Sequence, residues 1–286
     1  MGAARKLYPT LHPAALPVTA AFPRLYRPSL VAQSIGVTAN TNGTISGATD
    51  FSGGTAPTWN GNTTLGSNLY LVLGFSGNPG TVAVTGWTQQ GGNHNNGTGC
   101  YSAVFKLLNA AAQTSGTGPS MSWGNGVNGA ACAMIEVKGC ATSSEQDGSD
   151  QVATGANTTP AGGAITTTNA NDVILGFLVQ AEAGVSTAPS WASPLPSGSS
   201  LTSPGTASDP TSGQKAAVRV GIVYQVVTST QTAYTPSVTS SGSNSSAAWV
   251  GVTYAVKAAG AATLSLFRQA NLTTGGGGPF FANPVG

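Results

Sequence analysis

The chain has 286 residues, 40 of them glycine, with 6% charged residues and a formal net charge of +2. Soluble domains usually carry about 25% charged residues, so solubility here rests on Ser, Thr, Asn and Gln. The small net charge argues against a nucleic-acid partner, and no apolar run reaches membrane-helix length. Hydrophobic content is still 40%, so a packed core is expected rather than a disordered chain.

Residues 1–33 are punctuated by Pro9, Pro13, Pro17, Pro23 and Pro28. Proline at that density blocks helix and favours extended chain. Pro17 interrupts the apolar stretch Ala14–Phe22, which is therefore not read as a signal peptide. Arg5, Lys6, Arg24 and Arg27 all precede the first acid, Asp50. The same stretch holds many apolar groups, unlike a free tail. It reads as an arm that docks on a neighbouring subunit through Arg5, Tyr8, Phe22, Arg24, Tyr26 and Arg27. Residues 34–66 are rich in Thr, Gly and Asn, and Ile35-Gly36-Val37-Thr38 reads as a first strand.

Two stretches then follow the same order. Leu69 to Phe75 and Asn171 to Phe177 both end in Leu-Gly-Phe. A tryptophan comes next in each, Trp87 and Trp191. A second apolar run follows, Ala103–Leu108 against Ile222–Val227, then Pro119-Ser120 against Pro236-Ser237, and both copies close on Val-Lys, at Val137-Lys138 and Val256-Lys257. This is the pattern of a duplicated unit whose loops have drifted. The runs are short, rich in Val, Ile, Leu, Phe and Tyr, and bounded by turn residues, so they read as strands. Ala103–Ala112 alone would pass for a helix, but its β-branched mate decides for strand. The runs are nearly continuous rather than alternating, so some sheet surface is expected to be covered on both faces. The largest insertion of the second copy, about 186–214, is rich in Ser, Pro and Gly and reads as a long surface loop. The C-terminal stretch alternates at Leu264–Arg268, passes through Gly275–Gly278 and ends in a Phe280-Phe281 pair. It reads as a second docking arm on a glycine hinge, with Phe267, Phe280 and Phe281 as its contacts.

Little in the chain suggests catalysis. Glu136 is read as an outward-facing strand residue, and its repeat mate is Ala255, so no symmetric acid pair arises. His12 and His94 do not suggest a triad. Gly124–Gly129 matches a dinucleotide fingerprint by spacing, but a strand rather than a helix is expected after it. Glu145, Asp147 and Asp150 resemble part of a calcium loop without its bidentate glutamate, and read as a solvated turn. Cys100, Cys132 and Cys140 read as small buried apolar groups, with a Cys100–Cys132 bridge left open. No catalytic residue, metal site or cofactor is expected.

Leu71-Val72-Leu73-Gly74-Phe75, Gly86-Trp87-Thr88, Tyr101–Lys106 and Ala133–Gly139 together resemble a β-sandwich module of phage virion proteins and bacterial surface proteins. Ala164–Asp172 and Trp249–Val252 fit it too, and the likeness spans about residues 60–258. The resemblance implies a structural or adhesive role and carries over no catalytic residue.

The combined expectation is an all-β protein: a β-sandwich or jelly-roll-like domain over 34–260, built from halves at about 69–139 and 171–258, between arms 1–33 and 261–286. The expected function is that of a non-enzymatic virion structural protein, assembled in the host cytoplasm. Head decoration is favoured over a minor tail or fibre role. Its partners are other capsid or tail subunits and copies of itself, with no nucleic acid and no membrane. The alternative is a carbohydrate-binding or adhesion module, with Trp87, Trp123 or Trp191 stacking on a host-surface glycan.

Overall fold

A computed structural model describes residues 57–59, 61–183, 190–192, 216–241 and 247–259. Twelve strands and no helix occur among them. In chain order they are β1 (Ser67–Ser76), β2 (Val82–Val84), β3 (Thr88–Asn95), β4 (Cys100–Ala110), β5 (Met121–Trp123), β6 (Gly129–Val137), β7 (Gln151–Ala156), β8 (Asp172–Ala183), β9 (Ser190–Ala192), β10 (Ala216–Val227), β11 (Thr239–Ser241) and β12 (Ala248–Lys257). They form two four-stranded antiparallel sheets, ordered β3-β4-β1-β6 and β10-β8-β12-β7, and two ribbons, β2-β5 and β9-β11. Ala103–Ala112, the run that could have been helix, lies in β4 as far as Ala110, and that strand is paired on both sides.

All ten residues of β1 are buried. An alternating strand cannot show that pattern unless both faces are covered. Tyr70 and Val72 point into a cluster shared with Val104, Ile135, Leu175, Phe177, Val220, Val252 and Tyr254, drawn from both large sheets. Leu69, Leu71, Leu73 and Phe75 point the other way, under Trp59, Val82, Val84 and Trp123. The second sheet is covered likewise. Leu178 and Val223 lie under Trp191 and Val238, and Ile174 and Ala255 lie under Ile165. The central contact is tightest at Gly74, where an added Cβ would lie 2.4 Å from Val220 and 2.6 Å from Val179.

The two halves share a pairing scheme. In each, the opening strand is central, with β4 and β6 around β1 and β10 and β12 around β8, and two short strands pair as a ribbon, β2 with β5 and β9 with β11; the edge strands differ, β3 lying beside β4 in one sheet and β7 beside β12 in the other. The Val-Lys closures match in register. Asn68 pairs with Val137 and Val173 with Val256, so Tyr70 corresponds to Leu175 and Ile135 to Tyr254, all four in the central cluster. The Leu-Gly-Phe motifs do not match. Leu73 and Phe75 face outward, whereas Leu175 and Phe177 face inward. The motif match is three residues out of register, and an odd slip reverses every face. Nor do the tryptophans correspond: Trp191 lies within β9, while Trp87 follows β2 in the turn before β3.

All three cysteines are buried and free. Cys100 points into the central cluster and Cys132 into the outer one, on opposite faces of the sheet, so no bridge can join them. Burial raises the Cys100 thiol to about 12 and the Cys140 thiol to about 11. The native protein is therefore expected to leave all 3 thiols unreacted with an aromatic disulfide reagent at pH 8 and to release all 3 on unfolding. Rapid native labelling of even one would contradict this packing.

Candidate functional site

One end of the central core is closed by a polar cluster. Lys106, on β4, and Tyr254, on β12, come from opposite sheets and meet at Glu145 in the segment between β6 and β7. Lys106 Nζ donates to Glu145 Oε1 at 2.8 Å, and the Tyr254 hydroxyl donates to the same oxygen at 2.5 Å. Lys106 Nζ also lies 3.1 Å from the Tyr254 oxygen and 5.6 Å from its ring centre. Glu145 is held in place by its backbone: its carbonyl accepts from Lys257 N–H at 2.7 Å, and Asp147 N–H donates to Ala255 at 3.0 Å. Burial alone would raise the Glu145 carboxyl, but the Lys106 and Tyr254 hydrogen bonds outweigh it and hold it below its usual range. Burial, reinforced by Glu145, raises the Tyr254 phenol. The cluster holds a fixed charge pair and a neutral phenol, which suits it to locking the sheets together rather than to moving a proton.

A second acid pair lies beside it. Asp147 accepts from the Thr168 hydroxyl at 2.6 Å, Thr168 N–H at 2.6 Å and Asn169 N–H at 2.8 Å. Burial opposes ionisation, yet these donors hold Asp147 well below the usual carboxylate range. Asp172, at the start of β8, is fully buried, and neither of its oxygens meets an N–H or O–H donor. Its neighbour is the Asp147 carboxylate, so the two form a hydrogen bond only when one is protonated. Asp172 takes that proton: burial first, then Asp147, raise it to about 7, with Lys257 opposing. The segment expected as a solvated turn is thus built into the core, with Glu145 and Asp147 both buried. Among the described residues no group of three or more His, Cys, Asp or Glu could hold a metal ion.

Glu136 also differs from expectation. It points away from the central core but is buried rather than solvent-facing. Its Oε1 accepts from Thr64 N–H at 2.6 Å, and Lys138 Nζ stands 3.6 Å from Oε2. His94 pairs across the strands with Ser102, and burial lowers its imidazole below the usual value against the opposing charge of Asp150. Ser102 is fully buried and no hydrogen bond joins it to His94, so this trio lacks an accessible nucleophile. Gly124–Gly129 leads from β5 directly into β6, without the helix a phosphate site requires.

The outer side of the first sheet carries a cleft of about 280 Å³, with Trp59, Trp87, Leu107, Gln113, Pro119 and Ser120 among its lining residues. Trp59 is placed by two backbone bonds: its N–H donates to Thr117 at 2.8 Å, and its carbonyl accepts from Gly116 at 2.9 Å. Gly118 makes this possible, since any Cβ there would lie 1.9 Å from the Pro57 carbonyl oxygen. Trp87 stands on a turn closed by its N–H to Val84 at 3.1 Å, with Gly86 at φ 81°.

Of the three tryptophans singled out in the sequence, only half-buried Trp87 lines this cleft. Trp123 is buried edge-on against Phe75, at 5.2 Å between centroids. Trp191 is buried, donates from Nε1 to Gln180 at 2.9 Å and stacks under Arg219. Neither offers an exposed platform. Sequence reasoning passed over Trp59, whose signal was a lone tryptophan behind Pro57 in a polar stretch. Arg5, Tyr8, Phe22, Arg24, Tyr26, Arg27, Phe267, Phe280 and Phe281 lie outside the described residues, as do the 1–33 and 261–286 arms, the Ile35–Thr38 strand and most of the 186–214 loop. No protein family matches this chain, nor does any curated protein or any solved structure.

Proposed function

We propose that the chain is a non-enzymatic structural protein of a phage particle. In this reading a β-sandwich of two related halves is displayed on the surface, and the 1–33 and 261–286 arms dock on neighbouring capsid subunits or on further copies of the chain. Head decoration suits a single compact module with two arms better than a fibre does. The repeated pairing scheme and the in-register Val-Lys closures support the duplication. One observation carries the docking role. The outer faces of both large sheets are covered by residues between Trp59 and Val238, and Leu65 and Val152 are the exposed large hydrophobics of the described residues. The described residues leave no broad apolar patch for the apolar arms to cover, which favours another subunit as their target. An extended arm suits that task because it buries much surface per residue.

The test is co-sedimentation. Full-length protein and a form lacking residues 1–33 and 264–286 are each mixed with particles that lack this protein, then pelleted. Only the full-length form is expected in the pellet. Equal pelleting of both would mean that the domain itself docks, and no pelleting of either would remove the virion reading.

A further inference from the structure

We infer that the Trp59–Trp87 cleft is a binding site for a single neutral pyranose unit of a glycan. The argument starts from what lines it. Half-buried Trp87 and Pro119 supply the accessible apolar wall, buried Trp59 backs it, Thr85 and Ser120 supply hydroxyls, and Gln113 supplies an amide. None of the lining residues is ionisable, so the cleft has no means of holding a phosphate, a carboxylate or an ammonium group. A fatty chain would leave the amide and hydroxyls unpaired, which disfavours it.

A pyranose matches both halves of this lining. Its axial C–H face packs on the electron-rich face of an indole, and its equatorial hydroxyls project sideways towards polar groups. Gln113 is already oriented for that role. Its backbone N–H donates to Thr63 Oγ1 at 2.7 Å and its Nε2 donates to the Ala111 carbonyl at 2.9 Å, leaving Oε1 as an acceptor. Size agrees. Pockets for drug-sized ligands run to roughly 300–1,000 Å³, and a cleft of about 280 Å³ lies just below that range, suited to one sugar ring rather than a polymer segment. The site is also pre-formed. The Gly118–Pro57 contact and the Trp59–Thr117 bond fix one wall, and the Val84–Trp87 turn fixes the other. Binding therefore costs little ordering of the protein.

The inference is independent of particle docking, since it involves neither arm. Full-length protein is titrated with methyl glycosides of glucose, galactose, mannose and N-acetylglucosamine, following tryptophan fluorescence and ligand saturation-transfer NMR. At least one glycoside is expected to bind saturably with millimolar Kd. Trp87→Ala is expected to weaken it at least tenfold, and Gln113→Leu by a smaller factor, with Tm unchanged. Trp191→Phe, away from the cleft, leaves the affinity intact while removing one background fluorophore. If Trp87→Ala fails to fold, Gln113→Leu decides the matter. The inference is overturned if no glycoside saturates, if the cleft variants bind like the parent, or if a synthetic 1–33 peptide perturbs Trp87 where the sugars do not.

Discussion

Replacing Lys106 by methionine lowers the unfolding free energy by about 3 kcal/mol, and adding Glu145→Gln to the same chain restores most of it. Removing one partner of a buried pair typically costs about 3–5 kcal/mol, because the remaining charge is stranded out of water. Lys106 retains 17% exposure, which lets water reach the site and keeps the loss at the lower end. Methionine preserves the packing of the lysine stem, so the loss reports the charge. The pH dependence gives a second signature. Glu145 has a lowered folded-state value, so its contribution is present above its unfolded value and is lost as pH falls through the folded one. The difference between parent and variant therefore shrinks below about pH 4. Denaturation midpoints measured from pH 3 to 8 test this. A constant difference at all pH values, or no rescue by Glu145→Gln, would show that the pair does not lock the sheets.

Asp172→Asn is expected to have the opposite sign at neutral pH and above. Asp172 is raised from 3.8 to about 7 in the folded protein. A raised group favours the native state at low pH, and that contribution is lost as pH rises through the folded value. The parent should therefore weaken between about pH 4 and 7, by up to about 4 kcal/mol for a shift of this size. Asparagine supplies a permanent N–H donor to Asp147, so the variant should follow a flatter profile and exceed the parent at pH 8. Asp147 works the other way, losing its contribution as pH falls, so both proteins still weaken in strong acid. Parallel profiles for parent and variant would refute a shared proton.

The strand content was legible because the β-branched runs and their turn residues are local signals. Burial of both sheet faces was legible too, since β1 lacks alternation along its whole length. Register was not. Leu-Gly-Phe recurs in both halves, yet Leu73 faces outward and Leu175 inward, and only pairing partners show which residues correspond. Glu145 and Asp147 looked like a solvated turn because their partners, Lys106, Tyr254, Thr168 and Asp172, lie far away in the chain. Glu145 and Tyr254 are 109 residues apart. Trp59 was missed for a similar reason: nothing near it in sequence tells that residues 113–120 will fold back to form a wall beside it.

The separation between Glu145 and Tyr254 also sets an order of events during synthesis. Among the described strands β7 pairs only with β12, and Cys140 forms a β-bridge with Ala258. A nascent chain that has not yet delivered residues 248–258 from the ribosome holds β7 without a partner and Glu145 without its tyrosine. The first sheet can assemble early, but its apolar inner face waits for the whole second half. Such distant pairings make folding slow and leave apolar surface open to misassembly meanwhile. β12, the last of the described strands, both completes the second sheet and supplies the tyrosine of the polar cluster, so a chain that stops before residue 248 lacks both.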